Sequence, residues 1–229
     1  GETCDNCPFL ANADEWDSDG DGVGDACGAH VLYVIAAAGP VPNGAGPQEP
    51  AQTRGGKSWD DAFRCLDDAL RKAAGSGGTT REIWVARGTY RPAMPTVPGI
   101  STTAAFRLVS GVAVYGGFTG DETHPEQRNA NPATNGTVLS GDLLGDDEPD
   151  APRWHLSQQD NAATVVDTAG AVGAVLDGFT ITGGNSNHVG GGLIIQGGDA
   201  IIRRCRFIGN KAVRGGAVHI AGGAPVISH

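Results

Sequence analysis

Two stretches near the carboxyl end, "AVLDGFTITGG" (174–184) and "AIIRRCRFIGN" (200–210), align at a 26-residue offset that sets Phe179 over Cys205 and Ile181 over Phe207. Between and after them "GGGLIIQGG" aligns with "RGGAVHIAGG" at an expected offset of 24, and "PVIS" opens a third copy. A period of about 25 residues holding two or three short strands and no helix is that of a parallel β-helix coil, in which equivalent residues stack about 4.8 Å apart. Alternation within each strand then separates inside from outside: Phe179, Ile181, Cys205 and Phe207 point inward, and Arg204 and Arg206 point to solvent. Cys205 is accordingly expected as a buried free thiol.

The pattern extends toward the amino end. Short β-branched runs separated by Gly, Asn and Asp recur as "EIWVARGTY", "FRLVSGVAVYGGF", "GTVLSGD" and "ATVVDTAG". Thirty-seven glycines in 229 residues suit a chain that turns every few residues rather than a helical bundle. Upstream, "HVLYVIAAAG" from residue 30 reads as one strand, followed by a Pro- and Gly-rich loop over 39–57. Then "SWDDAFRCLDDALRKA" sets Phe63, Leu66, Ala69, Leu70 and Ala73 at helical spacing behind a Ser58/Asp61 capping box, which predicts one amphipathic helix over 59–74. Cys65 lies beside the apolar face, either as a core thiol or tied to Cys4.

The first 28 residues form a separate unit. They hold eight acids and no bases, and so contribute −8 of the formal charge of −10. Within them Asp17, Asp19, Asp21 and Asp25 stand at positions 1, 3, 5 and 9 of a loop whose sixth residue is Gly22. The carbonyl of Val23 falls at position 7. Alternate carboxylates converging on one point, with a glycine for the sharp turn, suit Ca2+ better than Mg2+, which prefers a tight octahedron that keeps its waters. An EF-hand is excluded, because its bidentate glutamate would fall on Gly28 and no helical pattern flanks the loop.

The ungapped run Asp5 to Cys27, "DNCPxxxNxxxxDxDxDGxGDxC", resembles the thrombospondin type 3 repeat, with Glu15 and Trp16 departing from the residues usual there. The resemblance implies that Asp17, Asp19, Asp21, Val23 and Asp25 hold one calcium ion and that Asp5, Asn12 and Asp14 contribute to a second. It also implies a Cys7–Cys27 disulfide, which would close a loop of about 20 residues worth on the order of 3 kcal/mol, and with it an exported protein. Cys4 is left over, as though its partner lay in an earlier repeat.

Residues 29–229 resemble the amino-terminal part of bacterial right-handed β-helix proteins of the pectate-lyase-like superfamily, on the strength of "EIWVARGTYRP", "GVAVYGGFTGDET", "TVLSGD" and "VLDGFTITGGN" taken together. That resemblance implies an all-β solenoid with an N-terminal capping strand near Tyr33 and a helix near Trp59, secreted or on a cell surface. The fold class expected is thus a right-handed parallel β-helix over 29–229, incomplete at its C-terminal end, preceded by the calcium segment 1–28.

Function is read in two ways. The first is a non-enzymatic extracellular structural or adhesion module, stabilised by calcium, whose open end over 217–228 meets further coils or neighbouring subunits, in the latter case end to end into a filament. The alternative is the N-terminal part of a secreted polysaccharide lyase or hydrolase, which requires a base beside calcium-bound carboxylates or a carboxylate pair. In the repeats Asp177 and Asp199 are followed one period later by Arg203 and Pro225, so no carboxylate ladder forms and no catalytic residue is assigned.

Smaller features divide likewise. The loop "GDLLGDDEPD", with Asp142, Asp146, Asp147 and Asp150, is either a further calcium site or a solvated turn. The basic cluster Arg203, Arg204, Arg206, Lys211 and Arg214 is either a solvated face or one that meets acidic glycans or a calcium-repeat segment of another molecule. His188, His219 and His229 lack zinc-site spacing, and Trp84 and Trp154 read as packing residues. The nearly neutral body offers nothing to track a nucleic-acid backbone, and no 18-residue apolar stretch is long enough to span a membrane.

Overall fold

A computed structural model describes residues 30–36, 54–148, 152 and 154–229. The expected calcium ligands from Asp5 to Asp25, the Cys7–Cys27 pair and the boundary at residue 28 lie outside these residues. The described part is mostly β, with one α-helix and parallel sheets.

Six strands make the first sheet, in the order β1 (His30–Val34), β2 (Thr80–Ala86), β5 (Ala113–Phe118), β8 (Val175–Asp177), β12 (Ile201–Arg203) and β16 (Val226–Ser228). A second sheet runs β3 (Gly88–Tyr90), β6 (Thr137–Ser140), β9 (Thr180–Thr182), β13 (Arg206–Ile208). The third runs β4 (Phe106–Arg107), β7 (Val166–Asp167), β11 (Leu193–Gln196), β15 (Val218–Gly222), and β10 (Asn185–Val189) pairs with β14 (Lys211–Arg214) alone. From β2 onward the chain passes from first sheet to second to third and back to the first, and all these strand pairings are parallel.

Register follows the 26-residue repeat in the first two sheets, where Leu176 pairs with Ile202 and Ile181 with Phe207. In the third sheet Leu193 pairs with Val218 and Ile195 with Ile220, an offset of 25 instead of the expected 24. The difference has a physical cause. An offset of 24 would set His219 under the buried Ile195 and turn the apolar Val218 and Ile220 outward, because a one-residue slip exchanges the two faces of a strand.

Apolar side chains stack in columns through the sheets. One runs Leu32, Ile83, Val114, Leu176, Ile202, Ile227, each in register with the next. All but the last are buried, whereas Ile227 is 49% exposed. Burying each such side chain contributes about 2 kcal/mol relative to leaving it in water, and the columns merge into one main core.

The helix α1 spans Leu66–Gly75, seven residues shorter at its start than the spacing predicts. Ser58 Oγ does accept the Asp61 N–H at 3.3 Å, but the turn is not continued. Phe63 instead bridges Val34 in parallel, its N–H donating to Tyr33 O at 2.8 Å while Ile35 N–H donates to Phe63 O at 2.9 Å. With Tyr33 N–H donating to Gly56 O, residues 56–63 occupy the outer edge of β1. Beyond them α1 lays Leu66, Ala69, Leu70 and Ala73 on the end of the core, against residues that include Leu32, Val34 and Phe106.

Candidate functional site

Among the described residues three carboxylates come together. Asp142, Asp146 and Asp160 can each bring one oxygen within 4.8 Å of the others. The chain builds this from a tight loop: Asp142 Oδ1 accepts the N–H of Gly145 at 2.6 Å and of Asp146 at 3.1 Å, and Asp160 Oδ2 accepts that of Leu144 at 3.0 Å. Burial pushes the Asp160 carboxyl above its usual range, and the charges of Asp146 and Asp142 add to this. A cation would relieve that repulsion. Three carboxylate oxygens fit a hard ion, although calcium takes about six to eight ligands, so the remainder would have to be water or backbone oxygens.

The loop membership differs from the sequence expectation. Asp142 and Asp146 belong to the cluster, but Asp147 turns away and accepts from Gln158 Nε2 and Asn161 Nδ2, both at 2.9 Å. Asp150 lies outside the described residues. Asp160 takes the third place, and only the fold shows it, because the 13 residues between it and Asp146 carry no repeat that would mark the return.

The basic cluster is divided by the fold. Arg203 and Arg204 do not point freely to solvent: both reach back to the fully buried Asp177 of the preceding repeat. Arg128, from the loop after β5, meets the same carboxylate at 2.8 Å and lies over the Tyr115 ring at 5.0 Å. Burial pushes Asp177 up, but the Arg204 hydrogen bond and the charges of Arg128 and Arg204 outweigh it and hold the carboxyl below its usual range. Arg206 and Arg214 are exposed on other strands, and Lys211 Nζ donates to Gln158 Oε1 at 3.0 Å, on the side of the acidic loop. Sequence spacing places Arg203 above Asp177, and that register held the signal for the pair. Nothing in it marks Arg128.

The aromatic residues separate. Trp84 is buried, stacks on Phe118 at 4.8 Å and donates its indole N–H to Glu82 at 2.6 Å, as a packing residue would. Trp154 is 77% exposed, contrary to the packing expectation, because it sits in an irregular loop that no sheet face covers.

Cys65 and Cys205 are free thiols, each only part-covered by residue area. Cys205 falls short of the full burial expected of it, yet its thiol is packed against the core and burial raises it to about 12. No helix among the described residues is long and apolar enough to cross a membrane. The chain matches no family model, no curated protein and no solved structure.

Proposed function

We propose that this chain is a calcium-stabilised structural or adhesion module of the extracellular space or cell surface, built as a right-handed parallel β-helix closed at one end by α1. The repeated passage through three parallel sheets, the in-register apolar columns and the covering helix support the solenoid. The alternate carboxylates from Asp17 to Asp25 support the calcium unit ahead of it.

One observation carries the assembly role. The apolar columns emerge uncovered at the β16 side, where Ile220 and Ile227, in register with the buried Ile195 and Ile202, are exposed beside unpaired strand edges. Such an edge is a template for further pairing. In the first sheet the opposite edge is taken by residues 56–63, so a head-to-tail joint finds no free β1 edge to meet. The open side is covered by further coils of the same repeat or by the open side of a second copy.

Sedimentation velocity at rising concentration, paired with calcium calorimetry, tests this reading. The 229-residue chain is expected to associate above its 23.3 kDa mass, less so with Ile227→Asp, and to bind calcium at millimolar concentration or below. A dispersed monomer that binds no calcium overturns it.

A further inference from the structure

One corner of the first sheet holds more positive charge than its packing needs. Asp177 is fully buried, and both its oxygens are taken: Arg204 Nε donates to Oδ1, and Arg128 Nη2 and Arg203 Nε donate to Oδ2, each at 2.8 Å, with Arg204 Nη2 also on Oδ2. Three guanidinium groups face one carboxylate. By count Arg128 alone matches the single charge of Asp177: its side chain is nearly covered, and its remaining bonds go to Gly116 O at 2.7 Å and the face of Tyr115.

Arg203 and Arg204 are different, at 39% and 40% side-chain exposure. Arg203 donates to the protein only through Nε, and among the described residues neither of its terminal nitrogens, nor Nη1 of Arg204, has a partner. Both are pinned to the same carboxylate of Asp177, and both side chains remain part-exposed to water. The nearest other acid on this sheet face, Glu82, lies two strands from Asp177 and accepts the Trp84 indole N–H.

The backbone points the same way. One repeat earlier the place of Arg204 is held by Gly178, at φ 86°, where a left-handed conformation is free of side-chain strain. Arg204 adopts φ 47° in that place, a conformation that an L side chain takes at a cost. A glycine there would be easier for the fold and would leave Asp177 still paired to two arginines. The arginine adds a second outward-facing donor group beside Arg203.

We infer that the outer ends of Arg203 and Arg204 form a binding site for an oxoanion, a sulfate or carboxylate group, free in solution or borne on an acidic glycan. Planar guanidinium forks held rigidly by a buried carboxylate are preorganised for such groups, which they bind through paired N–H donors. The site does not depend on the assembly reading, since it lies on the outer face of the sheet and not on its open edge.

The test is titration of the whole chain with sodium sulfate against sodium chloride at constant ionic strength, read by arginine side-chain NMR and by calorimetry. Saturable shifts are expected at Arg203 and Arg204 and not at the exposed Arg81, with binding weakened roughly tenfold in Arg203→Ala and less in Arg203→Lys, which keeps the charge. A sulfated or uronate oligosaccharide that binds more tightly than sulfate, with the same dependence on Arg203, assigns the site to a glycan. Equal affinity assigns it to the free ion. Shifts that never saturate, or that are the same at Arg81, overturn the site in the unmodified chain, and saturable binding unchanged by Arg203→Ala does so independently.

Discussion

Asp67, in the first turn of α1, accepts the backbone N–H of Ala93 at 2.8 Å and thereby ties the covering helix to the loop that follows β3. The carboxylate is buried at the edge of the core, and its only close acidic neighbour on the helix is Asp68. Burial first, and then the charge of Asp68, push its carboxyl from the usual range up to about 7.

A raised folded-state value means that the protonated form is the one the fold favours. The contribution of Asp67 to stability is therefore complete below about pH 4 and is lost as pH rises toward 7. Asp67→Asn keeps an oxygen for Ala93 and removes the buried charge. In urea unfolding the variant is expected to exceed the parent by roughly 1–3 kcal/mol near pH 8 and to match it near pH 3. Identical pH profiles for the two proteins would rule this out.

The column through the first sheet gives a positional prediction. Leu176→Ala, fully enclosed between Val114 and Ile202, is expected to cost about 3 kcal/mol. Ile227→Ala at the half-exposed end of the same column should cost under about 1 kcal/mol in the isolated chain. Chemical denaturation of both variants measures the contrast, and equal costs would mean that the end is already covered.

Around Asp177 the two sides of the ion cluster are unequal. Asp177→Ala strands three guanidiniums, one of them buried, and should cost roughly 3–5 kcal/mol. Removing Arg203 leaves Arg128 and Arg204 on the carboxylate and, with its side chain 39% exposed, should cost about 1 kcal/mol or less. Thermal unfolding of the pair decides it.

Calcium removal is expected to loosen residues 5–27 while the parallel sheets keep their circular dichroism, because the acidic segment has few apolar residues of its own. Asp19→Ala and Asp21→Ala should each weaken binding in calorimetry, since each removes an anionic ligand from the expected set.

Thiol chemistry tests the compartment. If Cys7 and Cys27 are bridged, the non-reduced chain is lighter by one pair of hydrogens and neither residue alkylates. Cys65 and Cys205, held protonated by burial at about 11 and about 12, should react slowly until the protein unfolds. Rapid labelling of Cys7 and Cys27 in the native, unreduced protein contradicts the exported reading.

How far the fold can be read from sequence depends on which residues carry a pattern. Phe179, Ile181 and their partners one repeat later are apolar at period 2, so the parallel pairing and its register in the first two sheets are visible. The strands Asn185–Val189 and Lys211–Arg214 are polar and lie outside the three main sheets, so nothing in "NSNHV" or "KAVR" announces them. In the third sheet two adjacent glycines offered two equally good alignments, and only the burial of Ile195 distinguishes them. The helix start failed for a related reason. Phe63 has helical spacing to Leu66 and Leu70, but its backbone groups are worth more to β1, which would otherwise show a bare edge.

The same blocked edge gives the molecule a direction in time as well as in space. Residues 56–63 and α1 lie ahead of every later strand in the sequence, so during synthesis the covered end can form before β5, β8 or β12 has left the ribosome. Each later strand then meets a finished template on one side only. A nascent chain of this kind exposes a single growing first-sheet face, so two such chains made close together have no head-to-tail pairing of that sheet open to them and can meet there only open side to open side.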